Sequence, residues 1–218
     1  MAELPVFPLD LVVFPGQTVP LVVFEARYKR LVKAVLELEE PRFVIARALA
    51  AADGPAMAPI GTVVRVVELA ERPDGTYTMT GHGGERVRVD VTRREDVAEA
   101  DGSERPLFFT DAEPLPVVRD DPNLERVAAW DALEAFRRYA RTFFAADAEQ
   151  QVDDHVPDES LYQASFVCAN LRLEGDERQA LLEAPSLVDR FRLAERLIEE
   201  RLEAHAPGLG DAGAGDVG

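Results

Sequence analysis

The spacing of apolar residues changes once along this chain, near residue 118, and that change constrains the fold more than any other feature. In the segment DGTYTMTGHGGERVRVDVT, residues 74–92, apolar and polar side chains alternate, which is the period of a half-buried strand. Beyond residue 120, apolar side chains instead recur every three or four positions, as on one face of a helix. The sequence therefore predicts an α+β protein in which a sheet region, residues 1–118, precedes a helical bundle, residues 119–206.

Short strands and one helix are predicted for the first region. The strands cover residues 4–14, 19–24, 42–49 and 106–115, with three more in residues 62–92, two of them joined by GHGG. A helix of about residues 25–40 interrupts them, because apolar residues from Tyr28 to Leu38 fall on one stripe and Pro41 prevents extension. Short strands punctuated by proline and glycine are typical of a small barrel or a pair of packed sheets.

The second region is predicted to hold four helices joined by short loops. The first begins at Asp121 and Pro122, a favourable helix start, and the last is capped by Ser186. The face expected to be buried on the first helix consists of Trp130, Leu133, Phe136, Ala140 and Phe143. Residues 207–218, PGLGDAGAGDVG, offer little to bury and are expected to form a disordered tail.

The stretch FPGQTVPLVVF, residues 14–24, combines turn-forming residues with apolar ones. It predicts two strands joined by a tight PGQT turn, rather than a solvated loop. Pro20 has no amide hydrogen, so it is expected at the edge of the sheet or at the start of a strand. A strand edge or a pocket can then remain open beside this stretch.

Composition argues against several classes of function. The net charge is −17 and both halves of the chain are acidic, so no broad positive surface for nucleic acid is expected. The apolar runs are too short to cross a bilayer, and the N-terminus does not resemble a signal peptide. With one cysteine, Cys168, an intramolecular disulfide is impossible. These features favour a cytoplasmic protein.

Metal, cofactor and catalytic signatures are not found in the sequence. His82, His155 and His205 lack the spacing of metal ligands, so no metal site and no cofactor are expected. A phosphate-binding loop needs Gly-Lys-Ser/Thr, but Lys29 follows Tyr28 and the other lysine follows a valine. A non-catalytic protein is therefore predicted, and an unrecognised hydrolase is the weakest of the alternatives.

Three segments together resemble the Lon protease N-terminal domain, also called the LON substrate-binding domain. They are PVFPLDLVVFPGQTVPLVVFEARYKRLV (5–32), DGTYTMTGHGGERVRV (74–89) and ERQALLEAPSLVDRFRLAERLI (177–198). The similarity spans residues 3–204 and implies a PUA-like small β-barrel or sheet followed by a helical bundle. In the full-length proteases this domain is thought to help recognise unfolded polypeptides, ahead of ATPase and peptidase modules.

The resemblance implies a module that weakly binds unfolded or extended polypeptide through an apolar groove or an open strand edge. The candidate contact residues are Phe14, Pro15, Pro20, Leu21, Phe24 and Tyr28. Glu25 and Arg27 are interpreted as a structural network at the start of the helix. A separate protease or ATPase is a second candidate partner, and the expected state is a monomer or a weak homodimer.

Two alternatives remain open from the sequence. One is an adaptor for a separate protease. The other is an RNA-binding PUA-like module, which needs Arg65, Arg86 and Arg88 to form a basic face on the sheet.

Overall fold

The computed structural model describes residues 3–50 and 56–205, and the predicted tail lies outside them. In this part of the chain nine strands and six helices form a mixed sheet followed by a bundle, which confirms the α+β prediction. The strands are β1 (Leu4–Leu9), β2 (Thr18–Val23), β3 (Arg42–Leu49), β4 (Ala56–Met57), β5 (Ile60–Glu71), β6 (Tyr77–Arg88), β7 (Val91–Ala98), β8 (Glu104–Thr110) and β9 (Glu113–Pro114). The helices are α1 (Ala26–Leu36), α2 (Pro122–Phe143), α3 (Ala148–His155), α4 (Ser160–Asn170), α5 (Gly175–Glu183) and α6 (Leu187–His205).

The strands form one sheet in the order β2-β6-β5-β3-β1-β8-β7, with β4 and β9 as short additions. Neighbours are antiparallel except for β1 and β3, which run parallel and are joined by a long crossover that contains β2 and α1. β2 and β7 are the two ends of this order. Pro20 therefore lies on an edge strand, as predicted.

Helix α1 covers one face of the sheet. Its buried residues Tyr28, Leu31, Val32 and Val35 pack with apolar side chains across most of the sheet, from Val19 of β2 to Phe109 of β8. The N-terminus of α1 is satisfied by Glu99, whose carboxylate accepts hydrogen bonds from the amides of Ala26 (2.7 Å) and Arg27 (3.1 Å). This helix and the sheet thus share one apolar core.

The bundle is built around α2 and α6. Alanines at positions 128, 129, 132 and 135 mark the buried face of α2, because small side chains let neighbouring helices approach closely. Trp130 lies away from this face and is 64% exposed, so its prediction as a core residue was wrong. The predicted caps are present: Asp121 accepts from the amide of Asn123, and Ser186 Oγ accepts from the amide of Asp189.

Several predicted boundaries differ from the structure. The predicted strand 4–14 ends at Leu9, and α1 spans 26–36 rather than 25–40. The bundle holds five helices instead of four, because α3 was not predicted. GHGG does not join two strands but lies within β6.

The glycines of β6 explain why the strand continues through GHGG. A Cβ on Gly83 would collide with the carbonyl oxygen of Phe14, and one on Gly81 would collide with Val64 Cγ1. Glycine is therefore needed where other chain segments cross β6 closely.

The boundary between the sheet region and the bundle at 118/119 stays a prediction. Val118 itself is hydrogen-bonded to the bundle, through the carbonyl of Pro185 (3.0 Å) and the amide of Leu187 (3.1 Å).

No described helix has the length and hydrophobicity of a membrane span.

Candidate functional site

The sheet and the bundle meet at residues 12–14, which follow β1. Val12 and Phe14 belong to the core of the bundle, whereas Val13 between them belongs to the core under the sheet. The hydroxyl of Thr62 donates to the carbonyl of Val13 at 2.6 Å. This extended segment is therefore shared by two cores, and Phe14 is fully buried.

Arg86 closes the same junction with hydrogen bonds. Its guanidinium is buried and donates to four backbone carbonyls, those of Leu115 (2.7 Å), Pro116 (3.3 Å), Leu182 (2.8 Å) and Ala184 (2.7 Å). Burial lowers the pKa of Arg86, but an arginine so bonded stays charged at neutral pH. The RNA alternative required this side chain on a basic outer face, so that expectation is wrong for Arg86.

A cavity of about 530 Å³ opens beside the junction, between the turn that precedes β2 and the helix α4. This volume falls within the range typical of ligand sites, about 300–1,000 Å³. One wall is the turn of residues 15–18 with His82 of β6, and the other is formed by Tyr162, Phe166 and their neighbours on α4. Gly16, with φ of +83°, lies directly under the Tyr162 ring, and a Cβ there would lie 2.7 Å from the ring.

Two smaller cavities continue this space along α4. A cavity of about 320 Å³ shares Pro15 and Tyr162 with the central one, and a cavity of about 410 Å³ shares Phe166 and Asn170 with it. Tyr162 and Phe166 are four residues apart, so they project from the same face of the helix. We refer to the three cavities together as the α4 groove.

The groove is mainly apolar and has an acidic neighbour. Residues 153–159 comprise the last turn of α3 and the loop to α4, and within them His155 and Pro157 line the groove. The same segment exposes the four acidic residues Asp153, Asp154, Asp158 and Glu159. The wall of the groove formed by this segment therefore carries negative charge.

The edge of β2 lies next to the groove. The amide of Gly83 donates to the carbonyl of Gln17 at 2.8 Å, and Thr18 then pairs with His82 in the antiparallel register. In that register the backbone groups of residues 18, 20 and 22 point away from β6. Since Pro20 has no amide hydrogen, one of the three outward donors is missing, which limits the pairing of another strand there.

The predicted contact residues fall into two groups in the structure, those that are buried and those that remain accessible. Phe14 is fully buried and Tyr28 is buried, and burial raises the pKa of Tyr28 to about 12, so neither side chain is accessible to a ligand in this conformation. Pro15 is buried but lines the groove. Leu21 is half-buried, while Pro20 and Phe24 are exposed at the β2 edge, with Phe24 65% exposed.

Sequence reasoning missed Tyr162 and Phe166. The available signal was the composition of SLYQASFVCAN, which is apolar on more than one side of the helix. A helix that is apolar all round is either fully enclosed or exposes one face for a partner. Here Val167 and Cys168 occupy the core, and Tyr162 is 41% exposed on another side.

The residues at the start of α1 form a charged network. Glu25 pairs with Arg27 at 3.0 Å and with Arg105 at 3.1 Å. The Arg27 guanidinium also stacks 4.4 Å from the centre of the Tyr28 ring. These partly buried contacts lie near the α1 N-terminus. The interpretation of Glu25 and Arg27 as a structural network stays a prediction.

Chemistry beyond binding finds little support in the part of the chain that the structure describes. That part contains no group of three or more His, Cys, Asp or Glu residues able to hold a metal ion. Burial raises the pKa of Cys168 to about 12, which leaves the thiol unreactive. Ser165 in the groove wall donates to the carbonyl of Leu161 in its own helix, at 3.0 Å.

The fold is thus a mixed sheet joined to a helical bundle, with an apolar groove beside the junction. A model of the ATP-dependent protease La (LON) substrate-binding domain matches residues 3–200. The chain belongs to this family. The homologous region is the N-terminal substrate-binding domain of Lon, and not its ATPase or protease part.

Curated relatives are Lon proteases. That of Xanthomonas oryzae pv. oryzae is 27% identical over 206 residues, which cover 92% of this chain and 23% of the relative. That of Escherichia coli K12 is 24% identical over 205 residues, covering 92% and 25%. The chain therefore spans about a quarter of the length of these relatives.

Solved structures show the same fold. The N-terminal domain of Mycobacterium avium complex Lon protease superimposes with a TM-score of 0.69 at 14% identity, covering 91% of this chain and 99% of that domain. A Lon N-terminal domain protein from Xanthomonas campestris gives a TM-score of 0.56 at 23% identity, covering 95% and 100%.

Proposed function

We propose that this chain is a non-catalytic module that binds unfolded or extended polypeptide segments through the α4 groove. The observation that supports this most is an apolar groove, open to solvent, on a chain that belongs to a substrate-binding family. A second segment of contact is the exposed edge at Pro20 and Phe24. The sequence predicted an apolar groove or strand edge around residues 14–28. We propose the same kind of site, but centred on α4.

Weak affinity follows from the size of the groove. Burying two or three large apolar side chains contributes about 4–8 kcal/mol before the entropic terms. Association and ordering of an unfolded chain oppose most of this, so the dissociation constant is expected in the range of roughly micromolar to millimolar. Binding of this strength is tolerant of sequence and suits sampling of many unfolded chains.

The negative charge of the chain is expected to favour some unfolded polypeptides over others. With a net charge of −17 and an acidic segment at the groove, the module prefers basic, apolar polypeptides over acidic ones. We further propose that it acts in the cytoplasm, on its own or together with a separate protease or ATPase, as a monomer or weak homodimer.

The test is titration with reduced, alkylated lysozyme, a permanently unfolded basic polypeptide, at low ionic strength. Folded lysozyme is the matched control, because it has the same composition and a similar charge. We expect the unfolded form to bind at least tenfold more tightly than the folded form. Equal binding of the two forms, or no binding of the unfolded form up to millimolar concentration, would overturn the proposal.

A pair of variants locates the site. Tyr162→Ala removes a half-exposed ring from the groove, whereas Trp130→Ala removes an exposed ring that lines none of the three described cavities. We expect the first substitution to weaken binding of unfolded lysozyme several-fold and the second to leave it unchanged. The reverse order would place the site elsewhere on the molecule.

A further inference from the structure

The two end strands of the sheet differ in whether another strand can be added to them. On β2, Pro20 removes one outward amide, which limits pairing. On β7, residues 93–98 keep a regular register with β8 and include no proline. The outer side of β7 pairs with no strand in the part of the chain that the structure describes. β7 therefore presents an open edge, to which an extended chain can add.

The backbone groups that point outward from β7 follow from its register with β8. At the turn between these strands the amide of Glu99 donates to the carbonyl of Ser103 at 2.8 Å, so bonds to β8 recur at every second residue of β7. In agreement with this alternation, Asp96 lies opposite Pro106, which has no amide hydrogen. The outward backbone groups are therefore those of the even-numbered positions, residues 94, 96 and 98.

The side chains of this edge carry both signs of charge in a short run, Arg93, Arg94, Glu95 and Asp96. Glu95 lies on the face covered by α1, where it accepts hydrogen bonds from Arg30 at 2.8 and 3.3 Å and pairs with Arg93 at 3.3 Å. Arg94 and Asp96 lie on the opposite face, 2.8 Å from each other, and are both exposed. The edge is thus locally neutral on a chain whose net charge is −17.

We infer that β7 pairs with β7 of a second copy of this chain, antiparallel and centred on Glu95. In an antiparallel pair related by a two-fold axis, residues directly opposite each other lie on the same face of the sheet. Centring on Glu95 places Arg94 opposite Asp96 of the second copy, and Asp96 opposite its Arg94. Both pairs use outward backbone positions, so the two strands exchange four backbone hydrogen bonds and form two cross-strand ion pairs. This inference goes beyond the proposed function and does not depend on the α4 groove.

Neighbouring registers bring like charges together. Centring on residue 94 places the two Arg94 guanidinium groups opposite each other, and centring on residue 96 does the same for the two Asp96 carboxylates. Centring on residue 95 brings the two Glu95 carboxylates together, but each is already paired with Arg30 and Arg93 of its own chain. The order of charges therefore selects one register.

Helix α1 leaves room for the second copy. It lies over β1, β8 and β7, so its axis is about one strand inside the edge. Paired strands are about 4.8 Å apart, which places the two β8 strands, and the α1 helices above them, about 14 Å apart across the joined edges. Helices in direct contact are about 8–10 Å apart. The sheet can therefore continue into the second copy without a displacement of α1.

The expected dimer is weak. Pairing of one short strand is a small contact, below the roughly 1,200 Å² of a stable interface, and two chains of net charge −17 repel each other. We therefore expect a dissociation constant of roughly 10 μM to 1 mM at about 0.15 M salt, where charges more than about 8 Å apart are largely screened.

An exchange of charge at two positions tests the inference. Arg94→Asp and Asp96→Arg each place like charges opposite one another in the paired edges, so each variant alone should associate at least tenfold more weakly than the wild type. In a one-to-one mixture both cross-strand pairs are again opposite in sign, and association should return to within about threefold of the wild type. Sedimentation equilibrium at chain concentrations from about 10 μM to 1 mM measures each sample.

Arg126→Asp, at an exposed position on α2, is the matched control. It changes the net charge as Arg94→Asp does, and should leave association at the wild-type strength. A wild-type chain that keeps the mass of one copy throughout the concentration range would overturn the inference. So would a mixture that associates no more strongly than the two variants do separately. Binding of unfolded lysozyme tests the proposed function separately, so that function stands or fails on its own.

Discussion

The boundary between the sheet and the bundle has two sides of opposite character. On one side, which we call the sealed side, Phe14 is fully buried, and Arg86, which also borders the 320 Å³ cavity, directs its guanidinium to four backbone carbonyls. On the other side, only two residues along the chain from Phe14, Gly16 lies under the half-exposed Tyr162 ring and the α4 groove begins. The first side excludes water by packing and hydrogen bonding, whereas the second leaves apolar surface accessible.

This contrast shows how a small domain can expose apolar surface without losing its fold. The sealed side supplies the stability of the junction, since buried aromatic packing and satisfied carbonyls are worth several kcal/mol. On the groove side the Tyr162 ring is only half enclosed, so its exposed surface can be used for binding. Substitutions on the two sides should separate stability from affinity.

The largest effect is expected for Phe14→Ala. It removes a fully buried ring from the bundle core and leaves a cavity, so the free energy of unfolding should fall by about 3–5 kcal/mol. Phe24→Ala, at a 65% exposed position, is the matched control and should change it by less than about 1 kcal/mol. Urea denaturation followed by circular dichroism measures both. Similar losses in the two variants would show that the junction is not sealed.

Arg86→Met should lower the free energy of unfolding by about 2–4 kcal/mol, because buried carbonyls lose their donors. Arg190→Met is the comparison within the same region. Arg190 is fully buried but donates one hydrogen bond, to Leu182 at 3.2 Å, and its Nε and Nη1 have no partner among the residues described. Its replacement should change stability by about 1 kcal/mol or less, or increase it. Equal destabilisation by the two substitutions would contradict this assignment of roles.

Gly16→Ala probes the point where the two sides meet. Gly102 has a similar φ, +79° against +83°, but a Cβ added there would have no atom within 4 Å, so Gly102→Ala carries the backbone strain alone. Both substitutions should reduce stability by about 1 kcal/mol, since the half-exposed Tyr162 ring can turn aside. Only Gly16→Ala should weaken binding of unfolded lysozyme, by about threefold or more. Unchanged binding would mean that the ring position is unimportant.

The smallest effect concerns pH. Hydrogen bonds from the Arg119 guanidinium hold the pKa of the buried Glu125 carboxyl below its usual range. Because the pKa is lowered in the folded state, this stabilisation is complete above the ordinary glutamate pKa, near 4.3, and is lost as the pH falls through the lowered value. Thermal unfolding from pH 7 to 2.5 should show that the protein loses stability below about pH 4. In Glu125→Gln this loss should be smaller, by under about 1 kcal/mol. Identical pH profiles would exclude this contribution.

Much of the fold could be predicted from local patterns. The alternation in residues 74–92 identified strands, the caps at Asp121 and Ser186 marked helix starts, and Pro20 indicated an edge strand. Each of these rests on a preference of the backbone or on a period that is visible in sequence. The open strand edge beside residues 14–24 could also be predicted, because Pro20 has no amide hydrogen to donate to a further strand.

The position of the groove could not be predicted in this way. Phe14 and Phe24 are both aromatic residues flanking the same short strand, yet one is fully buried and the other is 65% exposed. Trp130 and Phe136 both fit a helical stripe, but the alanines of α2 place only Phe136 in the core. In each pair the neighbours that decide burial are distant in the chain.

By itself, the sequence determined the α+β class, the order of sheet and bundle, the family and the acidic character, because periodicity, caps and composition are local or additive properties. Tertiary structure alone decided that Arg86 enters the junction and that Tyr162 and Phe166 face the turn at Gly16. These outcomes depend on contacts between segments about 70–150 residues apart. No local preference encodes which side of such a contact is sealed and which is left open.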